Sequence, residues 1–217
     1  SLYKTFVDGE CLVATSPRAA EMTKLTENSF RDVNIAFANE LSLICEQLKI
    51  NVWELISLAN RHPRVDVLQP GPGVGGHCIA VDPWFIVAAS PKEARLIRTA
   101  REVNDSKPYW VVKKVEDAVK SLLLKNPEKT EESVALAIYG LAFKPDIDDL
   151  RESPAFEIAR KLTASHRGLV QIAEPNITQL PNTLEKAILV SHENIRADVH
   201  IMLVDHSEFK AVLMPKG

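Results

Sequence analysis

The amino-acid sequence predicts an α + α/β chain, in which an all-helical domain is followed by a Rossmann-like domain with a parallel sheet. The run 18–49 contains neither Gly nor Pro, which is typical of one long helix. Three apolar segments are typical of buried strands: 134–139, 169–173 and 199–204. Helical segments separate these strands, which favours a doubly wound parallel sheet. The polar stretch 126–133 predicts the boundary between a helical domain, 1–128, and an α/β domain, 129–217.

The composition is that of an ordinary globular protein, with 217 residues of which 46% are hydrophobic and 25% are charged. The formal charge of −3 gives no basic footprint for nucleic acid, and no apolar run is long enough to span a bilayer. We therefore expect neither nucleic acid nor a membrane as a partner. The three cysteines lack metal-type spacing, so we predict no metal site, and the N-terminus lacks the pattern of a signal peptide, which favours a reducing cytoplasm. The chain begins at Ser1 without Met, and we expect it to be a piece of a longer protein.

The long helix is predicted to start after Ser16, which suits an N-cap and is followed by Pro17 at the first helical position. Apolar residues recur along it at helical spacing: Leu25, Phe30, Val33, Phe37, Leu41 and Ile44. This broad apolar surface leads us to expect a homodimer. Lys24, Asn28 and Arg31 share a different stripe of the helix, which suits either a solvated face or a site.

The rest of the helical domain contains a second helix at 52–60, a loop rich in Pro and Gly at 63–83, and further helical sequence. That sequence covers 84–87 and then 91–125, where Pro108 predicts a kink or a break. His62 and Arg64 precede the loop and suit an ordinary exposed surface as well as a site.

In the α/β domain, the first strand ends at Gly140, and a helix is predicted at 154–165 with Ser153 as its N-cap and Pro154 in its first turn. A weaker helical segment is predicted near 184–188. Ligands of open α/β sheets bind at the carboxyl edge of the strands, where a helix N-terminus favours phosphate. Lys144 and Arg151 would add positive charge to a site there, although a solvated turn would explain them equally well.

The glycine-rich segment 71–76 matches G-x-G-x-x-G by letter, but its context argues against a dinucleotide fingerprint. Helices flank it, and Pro70 and Pro72 remove two backbone donors that a pyrophosphate would need. Its glycines more plausibly allow close approach of a ligand to the backbone while the loop presents Cys78. Cys78 follows two glycines and precedes Asp82 by four residues, which suits a nucleophile and an inert thiol about equally. Cys11 and Cys45 are interpreted as buried filler.

Three motifs in this order resemble the UDP-glucose/GDP-mannose dehydrogenase family: Lys-Leu-Thr-Glu-Asn at 24–28, Gly-Gly-His-Cys-Ile-Ala-Val-Asp at 75–82, and Gly-Leu-Ala-Phe-Lys-Pro at 140–145 followed by Asp-Leu-Arg-Glu-Ser-Pro at 149–154. The resemblance covers nearly the whole chain, as the family's central helical domain and its C-terminal nucleotide-sugar domain. It implies that the N-terminal NAD-binding domain is missing here, so that the chain alone is inactive. A self-sufficient UDP-sugar-binding or dimerisation module without chemistry is the alternative.

The resemblance also implies a four-electron oxidation of a UDP-sugar alcohol to a carboxylate by two NAD+ through a cysteine thiohemiacetal and thioester. Cys78 would be the nucleophile, and three further residues would assist catalysis: Lys24, Asn28 and Asp82. Six residues are implied as substrate contacts: Arg31, His62, Arg64, Gly75, Phe143 and Lys144. Arg64 would reach across a dimer interface, and Arg151 would contact the NAD cofactor.

Overall fold

The structure is a computed structural model that describes residues 2–210, with only the backbone described for Leu2 and Tyr3. A 3-10 turn, Leu2–Thr5, precedes four α-helices: α1 (Pro17–Leu48), α2 (Val52–Ala59), α3 (Asp82–Ala89) and α4 (Arg95–Lys125). The predicted N-cap is confirmed, because the Ser16 hydroxyl accepts a hydrogen bond of 3.2 Å from the backbone N–H of Ala19. Helix α4 is continuous through Pro108, which excludes a break there, while a kink, the other predicted outcome, stays a prediction.

Helix α1 packs against the rest of the chain with a face that the apolar periodicity does not predict. Within the apolar row, Phe30 is 70% exposed and Phe37 is 52% exposed. The buried residues of α1 are mainly polar or small: Asn28, Ser29, Asp32, Ala36, Ala38, Asn39 and Cys45. The prediction for Cys45 as a buried thiol is confirmed, whereas Cys11 is only half-buried. The polar face lies against α3 and α4, because those helices carry polar partners for it.

The sheet has four parallel strands in the order β3-β2-β1-β4: β1 (Leu136–Tyr139), β2 (Val170–Ala173), β3 (Ile188–Leu189) and β4 (Val199–Met202). Helix α5 (Pro154–Ser165) connects β1 to β2 and matches its predicted bounds. The predicted helix near 184–188 is wrong. Asn182–Leu184 is a 3-10 turn with Leu184 fully buried, and Ile188 pairs with Gln171 of β2, so packing against the sheet overrides the local preference.

The largest hydrophobic core lies beneath this sheet. It joins β1 and α5 to the C-terminal half of α4, from which Val115 and Val119 enter the same cluster as Leu136 and Ile158. Helix α4 therefore packs both against α1 and against the sheet. Its last residue, Lys125, precedes the boundary between 128 and 129, which stays a prediction. Within residues 2–210, none of the helices combines the length and apolarity that crossing a bilayer needs.

Candidate active site

Cys78 lies in a tight turn immediately before α3. Its backbone carbonyl accepts hydrogen bonds from the N–H groups of Val81 (3.1 Å) and Asp82 (2.8 Å), so Asp82 sits one turn after the cysteine. The thiol is not in a disulfide and the residue is exposed. The glycines before it let the backbone bend: Gly76 has φ +84°, in the region that side chains disfavour. The turn therefore carries an exposed cysteine, with an aspartate one turn later in the chain.

Asn28 and Asp82 are in direct contact although 54 positions separate them, with Asn28 Nδ2 donating to Asp82 Oδ2 at 2.5 Å. Asn28 is only 4% exposed, so its amide is held in place. Leu25 of α1 packs with Ile86 and Val87 of α3, which fixes the two helices side by side. Asn28, Cys78 and Asp82 thus form one group, and Lys24 lies exposed one helical turn before Asn28 on α1.

The other three predicted substrate contacts of the helical region lie outside this group, as far as the contacts among the described residues show. Arg31 is exposed on α1. His62 and Arg64 are exposed in the turn after α2, where His62 Nδ1 accepts the N–H of Arg64 at 3.3 Å. Arg64 borders an apolar groove of about 480 Å³ together with Phe30 and Phe37 of α1. Its position is therefore at the exposed apolar row of α1.

A buried polar network holds the glycine-rich segment 71–76, which we call the glycine loop. The backbone N–H of Gly71 donates to Asn39 Oδ1 at 2.8 Å, and Asn39 Nδ2 donates to Asn104 Oδ1 at 2.8 Å. Asn104 Nδ2 in turn donates to Asp32 Oδ1 at 2.8 Å, and Arg101 Nη1 lies 2.7 Å from the same oxygen. All four side chains are nearly inaccessible. The sequence analysis missed this network, although the polar spacing of Asn28, Asp32 and Asn39 along α1 is a signal that could have found it.

The network also changes the pKa of its acidic member, Asp32. Burial raises the pKa of Asp32, and the adjacent Arg101 and Asn104 oppose that rise. Pro108 contributes to the fit of the loop, because it has no N–H to donate to the carbonyl of Asn104 one turn earlier. The glycine loop approaches that carbonyl, and a Cβ on Gly73 would lie 3.3 Å from its oxygen.

On its other side the glycine loop docks against the sheet region. A Cβ on Gly75 would lie 2.9 Å from Cβ of Phe143 and 2.7 Å from Cδ of Pro154, and it would overlap the carbonyl oxygen of Glu152. Glu152 itself has φ +51°, a left-handed conformation that is unfavourable for a glutamate. A Cβ on Gly76 would lie 3.0 Å from the ring of Phe143. The glycine loop is thus packed directly on the loop that carries Phe143.

Phe143 and Lys144 follow β1 at the carboxyl edge of the sheet. The strand order reverses at β1, because β2 and β3 lie on one side of it and β4 lies on the other. Ligands of open α/β sheets favour this position. A small cavity of about 170 Å³ opens here between the glycine loop, Phe143, Lys144 and Val204. The Lys144 side chain is exposed, with its ammonium 5.7 Å from the centre of the Phe143 ring.

Arg151 lies on the wall of a larger cleft, of about 800 Å³, between α4 and the start of α5. Its guanidinium makes two hydrogen bonds of 2.8 Å to the carboxylate of Asp149. This pairing lowers the pKa of the Asp149 carboxyl and raises the pKa of Arg151. The Asp149 carboxylate thereby fixes the direction in which an exposed cation points.

The family models match both regions of the chain. Residues 18–106 match the central domain of the UDP-glucose/GDP-mannose dehydrogenase family, and residues 137–216 match its UDP binding domain. The UDP-N-acetyl-D-mannosamine dehydrogenase of Salmonella typhi is 63% identical over 98% of this chain and 51% of its own length. That of Campylobacter jejuni is 58% identical over 99% of this chain and 52% of its own length. The chain therefore spans about half the length of the curated relatives it matches.

Solved structures agree with these matches. The UDP-N-acetyl-mannosamine dehydrogenase Cap5O of Staphylococcus aureus superposes with a TM-score of 0.79 at 46% identity, over 96% of this chain and 47% of that one. The UDP-D-ManNAc dehydrogenase of Pyrococcus horikoshii gives a TM-score of 0.79 at 37% identity, over 98% of this chain and 48% of that one. With both domain models matched in order, the chain belongs to the UDP-glucose/GDP-mannose dehydrogenase family.

Proposed function

We propose that this chain is the central and nucleotide-sugar-binding part of an NAD-dependent UDP-sugar dehydrogenase, which oxidises UDP-N-acetyl-D-mannosamine to UDP-N-acetyl-D-mannosaminuronate. The observation that carries the proposal is an exposed Cys78 one turn before Asp82, whose carboxylate accepts a hydrogen bond from the buried amide of Asn28. The names of the relatives support the choice of sugar. A module that only binds a UDP-sugar has no need of an exposed cysteine one turn before an aspartate that a buried amide holds in place.

NAD+ would accept a hydride from C6 of the sugar twice, and Arg151 with the N-terminus of α5 would contact its phosphates. The cleft of about 800 Å³ beside Arg151 suits this role, because an exposed cation and a helix N-terminus both favour an anionic group. We propose that a domain outside residues 1–217 makes most of the contacts with the cofactor. The chain alone would then bind the UDP-sugar without turnover.

In the proposed reaction, the first hydride transfer converts the C6 alcohol into an aldehyde and releases one proton. The sulfur of Cys78 adds to the aldehyde carbon to give a thiohemiacetal, which holds the hydride for the second transfer. That transfer leaves a thioester on Cys78. Water then attacks the thioester carbonyl, breaks the C–S bond and yields the carboxylate, so that the sulfur returns to its starting state. The free aldehyde is therefore never released from the chain.

Each helical residue of the site would have a separate task. Lys24 would act as acid or base, or would stabilise the developing oxyanion from its place one turn before Asn28. Asn28 would position an oxygen or a water through the amide that already contacts Asp82. Asp82 would assist proton transfer to and from the water that hydrolyses the thioester. These tasks need groups within hydrogen-bond reach of the oxygens at the reacting C6 of the sugar, and the Asn28–Asp82 contact supports this for two of them.

The substrate contacts would divide between the two regions. Phe143 and Lys144 would hold the nucleotide at the switch point of the sheet, beside the cavity of about 170 Å³. Gly75 would allow close approach of the sugar to the loop backbone. Arg31, His62 and Arg64 would complete the site, with Arg64 acting in the neighbouring subunit of a dimer.

Alkylation of Cys78 and binding of UDP test this proposal on the chain as it stands. We expect iodoacetamide to modify Cys78 faster than it modifies the half-buried Cys11 or the thiol of a short peptide. The rate at Cys78 should be lower in Lys24→Met than in Lys92→Met, a control at an exposed lysine. Calorimetry should detect binding of UDP, and an absorbance assay with NAD+ and UDP-sugar should detect no NADH. If Cys78 reacts only at the rate of the peptide thiol, the nucleophile assignment is wrong and the binding-module alternative gains support. NADH production by the 217-residue chain would contradict the proposed location of the cofactor site.

We also propose a homodimer formed through the exposed apolar row of α1. Phe30 and Phe37 are largely exposed, and the groove beside them carries Glu40 and Arg64 at its border. Charges of both signs next to an apolar centre suit pairing with an identical surface about a two-fold axis. Sedimentation should give a dimer for the wild type and for Leu124→Glu, which changes another exposed apolar residue, but a monomer for Phe37→Glu. A wild type that sediments as a monomer at micromolar concentration would refute the interface.

A further inference from the structure

Glu174, which follows β2, is a buried acid whose side chain is hydrogen-bonded to backbone N–H groups, to Asn176 and to His206. Its side chain has no accessible surface. One carboxylate oxygen, Oε2, accepts hydrogen bonds from the backbone N–H groups of Leu141 at 2.7 Å and Ala142 at 3.2 Å. These two residues follow β1 and directly precede Phe143. Glu174 therefore anchors the start of the loop that carries Phe143 and Lys144.

His206, which follows β4, anchors the end of the same loop. It is fully buried, with Nε2 3.1 Å from Glu174 Oε2, and its Nδ1 accepts the backbone N–H of Asp146 at 3.0 Å. Because an amide N–H can only donate, the neutral ring carries its proton on Nε2 and donates it to Glu174. The side chain of Asp146, which has φ +61°, then accepts the N–H of Ser207 at 2.8 Å. The ends of three strands are tied together by this pair.

The pair brackets the proposed nucleotide contacts. Phe143 and Lys144 lie between the anchor at Leu141 and Ala142 and the anchor at Asp146, and neither of them contacts the pair through its own side chain in the hydrogen bonds described. Burying a carboxylate and an imidazole is costly, and apolar residues of similar size would stabilise such a place equally well. Only a polar pair can accept hydrogen bonds from the backbone N–H groups that the strands leave unpaired. Its advantage therefore concerns the shape of the loop.

A metal site is the competing explanation for this cluster. Asp146, His206 and Glu208 are the only grouping within residues 2–210 whose ligand atoms lie close enough together to hold an ion. The Nδ1 atom of His206 already accepts the N–H of Asp146, so its lone pair is occupied. An ion there would have to displace a backbone hydrogen bond, and the hydrogen-bonded arrangement already accounts for the geometry.

We propose that Glu174 and His206 are positioning residues that hold the loop 141–146 in the shape in which Phe143 and Lys144 bind the nucleotide-sugar. This inference rests on the proposed function, because it assumes that Phe143 and Lys144 are nucleotide contacts. A loop that is fixed before binding loses little conformational freedom when the ligand arrives, which increases affinity without adding a contact. Weakening either anchor lowers the affinity for UDP.

Calorimetric titration of the 217-residue chain with UDP tests this inference, with a thermal melt of each variant. His206→Phe keeps the ring volume and the packing against Phe209 but removes the ring's hydrogen bonds with Glu174, Asp146 and Asn176, and we expect about tenfold weaker binding of UDP. His206→Asn places an oxygen near the position of Nδ1, where it can accept the N–H of Asp146, and should recover most of that loss. Glu174→Gln should weaken binding by a similar factor, because a neutral amide accepts the backbone N–H groups less strongly. Glu185→Gln, an exposed acid of the same region, serves as the control and should bind UDP as the wild type does.

A double-mutant cycle separates positioning from general stability. If His206 acts through Lys144, then His206→Phe should have little further effect once Lys144→Met has removed the contact, so the two losses should not add. Additive losses, or unchanged UDP affinity in both His206→Phe and Glu174→Gln, would overturn the inference while leaving the proposed function intact. Absence of UDP binding by the wild type would instead overturn the proposed function, and the inference with it. If His206→Phe does not fold, the cycle is run with Glu174→Gln.

Discussion

The sheet region and the helical region of this chain bury different kinds of side chain. Strand β1 is buried along its whole length, and the core around it consists of apolar residues such as Leu136 and Ile158. Helix α1 buries Asp32 and Asn39 and leaves Phe30 and Phe37 exposed. The hydrophobic effect is non-directional, whereas hydrogen bonds depend on distance and angle and therefore fix the positions of the atoms that they join. The comparison indicates that the apolar core beneath the sheet supplies stability, while buried polar side chains, such as those in the interior of the helical region and the Glu174–His206 pair, supply the geometry of the loops.

The largest effect that would test this contrast is removal of the charge of Arg101. In Arg101→Met the carboxylate of Asp32 stays buried without its partner, so we expect the free energy of unfolding to fall by about 3–5 kcal/mol. Urea denaturation measures this change. The double variant Asp32→Leu/Arg101→Met should recover most of the stability but not the rate of Cys78 alkylation, because Asn104 loses its acceptor. A fall below about 1 kcal/mol in the single variant would mean that the network is not a stabilising unit.

A matched pair of truncations compares the two regions directly. Ile158→Ala removes a fully buried side chain from the sheet core and should lower the free energy of unfolding by about 2–4 kcal/mol. Phe37→Ala removes an exposed side chain of α1 and should change it by less than about 0.5 kcal/mol at nanomolar concentration, where a dimer would dissociate. At high concentration the loss in Phe37→Ala should grow. A concentration-independent loss would indicate that Phe37 packs within its own subunit.

A prediction of opposite sign concerns Lys107, a second buried charge between α4 and α1. It donates to Ser42 Oγ at 2.9 Å and lies 4.0 Å from the centre of the Trp110 ring. Burial lowers its pKa from 10.5 to about 8, against the opposing effect of Glu46. Between pH 8 and about 10.4 the unfolded chain therefore holds a proton that the folded chain has released, so stability due to this group rises with pH.

Lys107→Met should accordingly raise the free energy of unfolding at pH 7 by about 1–2 kcal/mol, because no charge is then buried. The advantage over the wild type should shrink as the pH rises through 8 towards 10. Urea denaturation at pH 7, 8.5 and 10 measures the difference. A constant difference across this range would show that the lysine is not desolvated in the folded state.

The parts of the fold that follow from local chemistry could be predicted from the sequence. Helix α5 has its predicted bounds because Ser153 caps it and Pro154 fits its first turn. The segment 184–188 could not be predicted, since Leu184 is held in the sheet core and Ile188 pairs with β2. The face of α1 that is buried within the chain does not follow from its apolar periodicity, for a related reason. Periodicity marks apolar residues, but polar partners on α4 decide which face is covered.

The candidate site divides in the same way. The turn that carries Cys78 could be located from its glycines, because those residues are adjacent in sequence, and the role of Cys78 as nucleophile stays a prediction. The contact between Asn28 and Asp82 depends on how α1 packs on α3, and only the family resemblance suggested it. Glu174 and His206 escaped the sequence analysis because each is a single polar residue after a strand. Their position at the carboxyl ends of parallel strands was the one signal available.

The close packing at Gly75 has a consequence for engineering substrate preference by exchanging domains between relatives. The polar stretch at 126–133 is the obvious place to join two halves, but the sensitive junction lies between the glycine loop and the corner formed by Glu152 and Pro154, where even a methyl group at position 75 would collide with the backbone. A functional hybrid should therefore take the glycine loop and that corner from the same parent. The segments of this chain that have to be exchanged together are therefore set by that interface and not by the linear order of the domains.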